Sequence, residues 1–330
     1  MKKLSLFLIG LLLIPSLFLT SCDRGDDLDQ GGIVAEKTFD VLKDYMTDNS
    51  LDINNITTGF VTPAPDAAGL NDFLSKYYIL DIRSASAFST SHIEGAKNIA
   101  FADILTEATN AGGKPILMVC YTGQTACYAT ALLRLYGYTD TVALKWGMSG
   151  WNSETAGPWN SNIGDIAKGS ANWTNSAAPT LIPFTDPDLG STSKDGETIL
   201  KERVEAVVAD GFKTVTGAEV LNSPSSYFIN NFFTEAAYTS FGHIANAYRI
   251  SPLTLTNGEY KNLNPSASAK VVTYCYTGQT SAVVTAVLRV LGYDAYSLTF
   301  GMNGLYHSNP SFTSNQWGVD SNPKELPLIK

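Results

Sequence analysis

The chain has 330 residues, enough for two domains at roughly 100–200 residues each, and its 44% hydrophobic and 16% charged residues are an ordinary globular balance. A formal net charge of -9, with no run of Lys or Arg beyond Lys2-Lys3, argues against a nucleic-acid partner, because phosphate binding needs a basic face.

The chain opens on a positive pair, Lys2-Lys3, then a nearly unbroken apolar run of 16 residues from Leu4 to Leu19, then Leu19-Thr20-Ser21-Cys22. This is a secretory signal pattern. The run is short for a membrane-spanning helix, which needs about 20 residues. Its ending resembles the lipobox of bacterial lipoproteins. That resemblance implies a signal peptide over residues 1–22, cleavage before Cys22 and a diacylglycerol on the Cys22 sulfur. Acyl chains contribute about 0.8 kcal/mol per buried methylene, so several of them would hold the chain on a membrane. The expected location is the cell envelope. Residues 23–35, with Asp23, Asp26, Asp27, Asp29 and Gly31-Gly32, read as a flexible acidic tether.

Further along, short apolar runs alternate with helical periodicity. Tyr77 to Ile82, Pro115 to Val119 and Thr141 to Leu144 read as buried strands, and Thr125 to Leu135 as a helix ending before Gly137. Residues 161–195 lack periodicity, are rich in Ser, Asn, Thr, Gly and Pro, and read as a linker. Trp173 and Leu181-Ile182-Pro183-Phe184 suggest that part of it packs on a surface. The pattern then returns: Tyr227 to Ile229, Lys270 to Tyr274 and Ala295 to Leu298 as strands, Thr280 to Leu291 as a helix. Strands alternating with helices predict α/β architecture with a mainly parallel sheet covered on both faces.

The return is a duplication. Cys120-Tyr121-Thr122-Gly123-Gln124-Thr125 recurs, residue for residue, as Cys275-Tyr276-Thr277-Gly278-Gln279-Thr280, 155 positions later. Leu133-Arg134-Leu135-Tyr136-Gly137-Tyr138 matches Leu288-Arg289-Val290-Leu291-Gly292-Tyr293. Trp146-Gly147-Met148 matches Phe300-Gly301-Met302, and His92-Ile93 matches His243-Ile244. Two copies are expected, over residues 36–160 and 196–330.

Each repeated cysteine stands where an apolar strand ends and a helix begins, the edge of an open α/β sheet where sites form. Backbone amides in such a turn can make an anion nest, and the helix start adds partial positive charge. Both are expected to favour the thiolate and lower the cysteine pKa, giving a nucleophile whose cradle suits a persulfide or an oxyanion. Gly123 and Gly278 permit positive φ or close backbone approach. Thr125 and Thr280 can cap the helix or turn a hydroxyl inward. A strand-end cysteine on its own reads as core packing; the repeat turns the reading toward a reactive site.

With Asp81-Ile82-Arg83, Phe88, His92-Ile93-Glu94-Gly95-Ala96, the Cys120 loop and Gly147-Met148-Ser149-Gly150-Trp151 in this order, the first copy resembles the rhodanese superfamily over nearly a whole domain. The resemblance implies two tandem rhodanese-like domains, each a mainly parallel five-stranded sheet flanked by helices. It implies sulfane sulfur transfer through a persulfide on Cys120 and Cys275, with Tyr121 to Thr125 and Tyr276 to Thr280 as substrate-binding loops. It implies a small sulfur donor of thiosulfate or mercaptopyruvate type and a thiol or cyanide acceptor, with no cofactor. The alternative function is a non-catalytic sulfur carrier or protein-interaction module. Neither loop holds an Arg or Lys, which weakens the attraction for a dianion such as thiosulfate. The second copy has Asn231-Phe232-Phe233 where the first has Asp81-Ile82-Arg83, so a brace made by the Asp/Arg pair would be missing there.

Other candidates are weaker. Three cysteines besides Cys22 make no disulfide framework, and with three histidines they show no metal-ligand spacing. His92 and His243 are expected on a structural turn, and His307 at the surface. Cys127 reads as core, with resolution of an oxidised Cys120 as its functional alternative. Arg134 and Arg289 are expected on helix surfaces, with binding of a substrate carboxylate as the alternative. A cysteine phosphatase needs Arg six residues after its cysteine to clamp phosphate; Ala126 and Ser281 stand there instead.

Overall fold

The apolar runs of both copies form parallel strands in a computed structural model that describes residues 37–330. The signal pattern, Cys22 and the acidic tether lie outside the described residues. Among the described residues no helix is long and apolar enough to cross a membrane.

The first sheet contains β1 (Val61–Thr62), β2 (Tyr78–Asp81), β3 (Lys97–Asn98), β4 (Ile116–Val119) and β5 (Val142–Leu144), in the order β1-β5-β4-β2-β3, all parallel. All four residues of β4 are buried, as expected for a central strand covered on both faces. Its side chains alternate between two cores. Ile116 and Met118 join Leu80 on the side of the helix Gln124–Leu135, and Leu117 and Val119 join Ile79 and Leu144 on the other. Each fully buried aliphatic side chain of this kind contributes about 1.5–3 kcal/mol.

The second half brings β6 (Trp173–Thr174), β7 (Thr214–Val215), β8 (Phe228–Asn231), β9 (His243–Ile244), β10 (Val271–Tyr274) and β11 (Ala295–Leu298). Its sheet is parallel with the order β7-β11-β10-β8. It has four strands rather than five. At the edge matching β3 a single parallel bridge, Asn230 to Tyr248, takes the fifth strand's place. The segment at His243, like its counterpart His92, lies outside the main sheet and pairs antiparallel, here with β6 from the connecting segment.

The two halves meet helix against helix. Gln124–Leu135, which follows the first cysteine loop, packs along Gln279–Val290, which follows the second. Both helices are almost wholly buried, with Ala126, Cys127 and Ala129 of one and Ala282 and Ala286 of the other among their fully buried small residues. One core runs through this seam from Ile116 and Met118 of the first half to Val271 and Ala295 of the second. The long helix Gly196–Asp210, capped by the Asp195 carboxylate accepting from Thr198 N–H, packs on the seam and on the helix Thr38–Asp48.

The ends of the chain cross between halves. Near the C-terminus Ile329 and His92 exchange both backbone hydrogen bonds at 2.9 Å, and Leu326 is buried in the first half's core. From the other end, Asp52 reaches the second half. Its carboxylate accepts from Leu255 N–H (2.7 Å), Thr256 N–H (3.0 Å) and the Thr256 hydroxyl (2.8 Å), as well as from Ile53 N–H. Asp52 is buried, so removing it strands several donors at once. Asp52→Ala is expected to cost about 2–4 kcal/mol in urea unfolding; a loss below about 0.5 kcal/mol would show that water replaces the carboxylate.

Candidate functional site

Cys120 follows β4 and Cys275 follows β10, each at the carboxyl end of a central strand. The loops turn inward because Gly123 and Gly278 adopt left-handed φ of 84° and 76°. These glycines, not Thr125 and Thr280, stand at the caps of the helices. No side chain caps either helix, and the two threonines fall inside its first turn, half-buried. The capping expectation fails because the helix begins one residue earlier, at Gln124 and Gln279.

The turn aims amides at sulfur. Gly123 N–H and Ala126 N–H donate to Cys120 Sγ at 3.2 and 3.3 Å. Ser281 N–H donates to Cys275 Sγ at 3.4 Å. The nest expected from the sequence is therefore present, but its expected effect on the first cysteine is reversed. Both sulfur-bearing residues are only 4% exposed. Burial pushes the Cys120 thiol above its ordinary value, against the amides of Ala126, Thr122 and Gly123, and the nearby Asp81 charge pushes the same way. Desolvation outweighs a few amide dipoles, so the resting Cys120 is a protonated thiol.

A second glycine turn holds each loop from behind. Trp146-Gly147 and Phe300-Gly301 take left-handed φ in succession. For the two aromatic residues this is a conformation that costs about 1–3 kcal/mol and collects at functional sites. It lets Met148 N–H and Ser149 N–H donate to the carbonyls of Cys120 (2.9 Å) and Tyr121 (3.1 Å). Met302 N–H and Asn303 N–H do the same for Cys275 (3.0 Å) and Tyr276 (3.2 Å). A Cβ on Gly147 or Gly301 would collide with the cysteine carbonyl. The residue after Met adds a side-chain bond to the same Tyr carbonyl: Ser149 Oγ at 2.9 Å in one copy, Asn303 Nδ2 at 2.8 Å in the other.

The two loops touch each other. Gln124 Oε1 accepts from Phe300 N–H across the boundary at 2.9 Å, while Gln124 Nε2 donates to Thr122 Oγ1 at 3.1 Å. Gln279 Nε2 donates back to the Thr122 carbonyl at 3.4 Å, which also accepts from Trp159 Nε1 at 3.1 Å. Within the second loop, Thr277 Oγ1 accepts from Gln279 N–H. This cross-boundary latch was not visible in the sequence, although the identity of Gln124 and Gln279 in the repeat was its signal. The mouths differ. Tyr121 is 39% exposed and its hydroxyl meets Ser84 Oγ at 3.0 Å. Tyr276 is half-buried among Phe233, Phe241 and Phe312.

The remaining candidates have structural partners. Asp81 and Arg83 form a buried double hydrogen-bonded ion pair, and Arg83 also donates to the Ser91 carbonyl. In the second copy the ion pair is gone but its turn survives. Asn231 Oδ1 accepts from Phe233 N–H at 2.8 Å as Asp81 Oδ1 accepts from Arg83 N–H at 2.9 Å. Asn231 Nδ2 donates to the Tyr274 hydroxyl. Arg134 and Arg289 are buried rather than on helix surfaces. Arg134 bonds the carbonyls of Ile56, Thr58, Gly59 and Thr141, and Arg289 bonds Tyr128, the Gly211 carbonyl and Asp210. His92 stacks on Phe88 and His243 on Tyr238, each with Nδ1 at a backbone carbonyl. His307 is half-buried, with Nε2 at the Trp317 carbonyl. Among the described residues no cluster of His, Cys, Asp or Glu is placed to hold a metal ion.

Fold and site together define a doubled α/β protein with an amide-lined cysteine loop at the same sheet edge of each half. The model of the rhodanese-like domain family matches residues 66–154 and 232–308, about half of the chain. A thiosulfate sulfurtransferase of Shewanella oneidensis is 32% identical over 79 residues, 24% of this chain and 78% of the relative. One from Pseudomonas putida is 33% identical over 78 residues, 23% of this chain and 69% of the relative. The solved 3-mercaptopyruvate sulfurtransferase of Leishmania major is 14% identical, covering 75% of this chain and 74% of its own at a TM-score of 0.27. The chain belongs to the rhodanese-like domain family. Its membership and the names of its relatives support sulfur transfer as the general activity.

Cys127 is fully buried in the helix seam. Burial pushes its thiol well above 9.0, and charge on Cys120 or Cys275 pushes it further. A thiol held above its unfolded value contributes stability that is complete below the ordinary thiol range and is lost as pH rises through the folded value. Chemical denaturation at stepped alkaline pH is expected to show stability falling above pH 9.0, with a smaller fall in Cys127→Ala. Equal alkaline losses in both proteins would place the titrating group elsewhere.

Proposed function

We propose that the chain is a sulfurtransferase in which Cys120 and Cys275 carry sulfane sulfur as a persulfide. The observation that supports this best is the inward turn of each loop, which sets backbone N–H groups 3.2–3.4 Å from the cysteine sulfur and so provides for negative charge there. A cysteine thiolate attacks the outer sulfur of a small donor. The new S–S bond forms as the donor's own bond to that sulfur breaks, releasing sulfite from thiosulfate or the enolate of pyruvate, which takes up a proton, from mercaptopyruvate. A thiophilic acceptor, a thiol or cyanide, then attacks the outer sulfur and the cysteine leaves as thiolate. The residues of both loops, Tyr121 to Thr125 and Tyr276 to Thr280, enclose the transferred sulfur.

The donor we favour carries less charge than thiosulfate. Neither loop has a cation, and the arginines on the following helices are bonded to carbonyls and to Asp210. The names of the relatives favour thiosulfate, so both donors belong in the test. A second reading, a sulfur carrier or interaction module that turns over only with a protein partner, is favoured by the 4% exposure of both cysteines.

Intact-protein mass spectrometry after incubation with each donor decides between them. We expect the mass of one sulfur atom to be gained per active loop, abolished at that loop by Cys120→Ser or Cys275→Ser, with mercaptopyruvate loading faster. Loading without turnover on cyanide or small thiols would favour the carrier. No gain with either donor would sink the sulfurtransferase reading.

We further propose that the protein is held at the cell envelope by lipid on Cys22, a reading supported by the Lys2 to Cys22 pattern alone. Radiolabelled palmitate fed to expressing bacteria is expected to enter the chain and to be lost in Cys22→Ala. Label persisting in that variant would remove the anchor.

A further inference from the structure

The two cysteine loops are identical in sequence, but the ground beneath them is not. Below Cys275, the seam between sheet and helix is lined with hydroxyls. Ser281 Oγ stands 3.7 Å from Cys275 Sγ and 2.8 Å from Ser297 Oγ. Thr273 faces Ser297 in register across β10 and β11, and its hydroxyl has no partner. All three side chains are fully buried. The matching positions below Cys120 are Ala126 after the loop and the register pair Met118 and Ala143, none with a hydroxyl.

A hydroxyl is both donor and acceptor, and its proton swings about the C–O bond without moving a heavy atom. While Cys275 is a thiol, its S–H donates to Ser281 Oγ, which leaves the Ser281 proton free to go to Ser297. Once the thiol proton has left to solvent, the chain reverses: Ser297 donates to Ser281, and Ser281 donates to the sulfur anion. A hydrogen bond to an ion is roughly twice as strong as one between neutral groups, and the low dielectric of the buried floor strengthens it further. Cys120 has the amides alone.

The charged neighbours of the two sulfurs differ as well. Asp81 faces Cys120 from β2, whereas the matching residue of β8 is the neutral Asn231. Near Cys275 stand Cys127 from the facing helix, whose charge would oppose that of Cys275, and Tyr276 in its own loop; Tyr276 packs on Phe233, whose carbonyl accepts from Arg249.

We propose that Ser281, oriented by Ser297, is a positioning residue that donates its hydroxyl to the Cys275 sulfur whenever that sulfur is negatively charged, making Cys275 the more readily ionised of the two loop cysteines. The proposal rests on the sulfur-transfer reading for its meaning, but its test does not use a sulfur donor. The full chain is alkylated with iodoacetamide across a pH series, and peptide mass spectrometry follows Cys275 and Cys120 separately.

In the unmodified protein Cys275 is expected to react at lower pH than Cys120. In Ser281→Ala the Cys275 profile moves up by about one pH unit, roughly tenfold slower reaction at a fixed pH below the midpoint, while Cys120 keeps its profile. Ser297→Ala moves it by less, and Ser281→Thr restores it. Because Ser281→Ala could loosen the second half, the reverse graft is made in the first: Ala126→Ser with Ala143→Ser is expected to move the Cys120 profile down. A Cys275 profile that lies above that of Cys120, is unchanged in Ser281→Ala, or shifts only together with Cys120 overturns the proposal. So does a graft that folds and leaves Cys120 where it was. A chain that shows the shift yet takes up no sulfur would retain Ser281 as the positioning residue and sink the sulfur-transfer reading alone.

Discussion

The packing of the helix after one cysteine loop against the helix after the other is the constraint on which the rest depends. Both helices are almost wholly buried, and Cys127 of the first stands near the cysteines of both loops. Close packing of two rigid helices fixes the loops at their starts. That is why Gln124 can reach Phe300 and Gln279 can reach Thr122. It also explains the burial of both sulfurs, since each loop closes the other's approach from the seam side. Enlarging the seam would therefore alter the sites before it unfolded the chain.

Within that frame the two copies have diverged by exchanging one kind of polar support for another. The first copy keeps a buried ion pair, Asp81 with Arg83, beside an apolar floor of Met118, Ala126 and Ala143. The second keeps only the turn of that pair, through Asn231, and places hydroxyls in the floor. A buried ion pair costs desolvation that good geometry must offset; a neutral amide making the same backbone bond avoids that cost. The second copy compensates elsewhere, with Tyr274 accepting from Asn231 Nδ2 and from Ile244 N–H.

Much of this was legible in the sequence, because the signals were local. The runs at Ile116–Val119 and Val271–Tyr274 had to be strands, and an identical hexapeptide could only mark the same turn twice. Hidden from it was whatever depends on distant residues. Nothing near Asp52 announces a partner two hundred residues on, and the match of His92 to His243 could not show that one would pair with Ile329 and the other with Trp173–Thr174. Arg134 and Arg289 looked like surface residues because a helix pattern does not reveal that carbonyls from other segments converge on it. The thiol's direction of shift was misjudged for a related reason. The amides could be inferred from the turn, while the burial opposing them comes from the whole fold.

That opposition gives the first site its logic. A lysine or arginine in the loop would draw a dianionic donor, but it would also hold the cysteine permanently as thiolate, the form that oxidises. These loops hold none, and all three described cysteines are free. Burial favours the thiol at Cys120, yet the low-dielectric surroundings that keep it neutral also strengthen each amide bond to an anion once one forms. The stabilisation is thus held back until sulfur becomes charged. In such a site the resting pKa measures the cost of ionisation rather than the capacity for chemistry, and the amide geometry is the better guide to what the loop does.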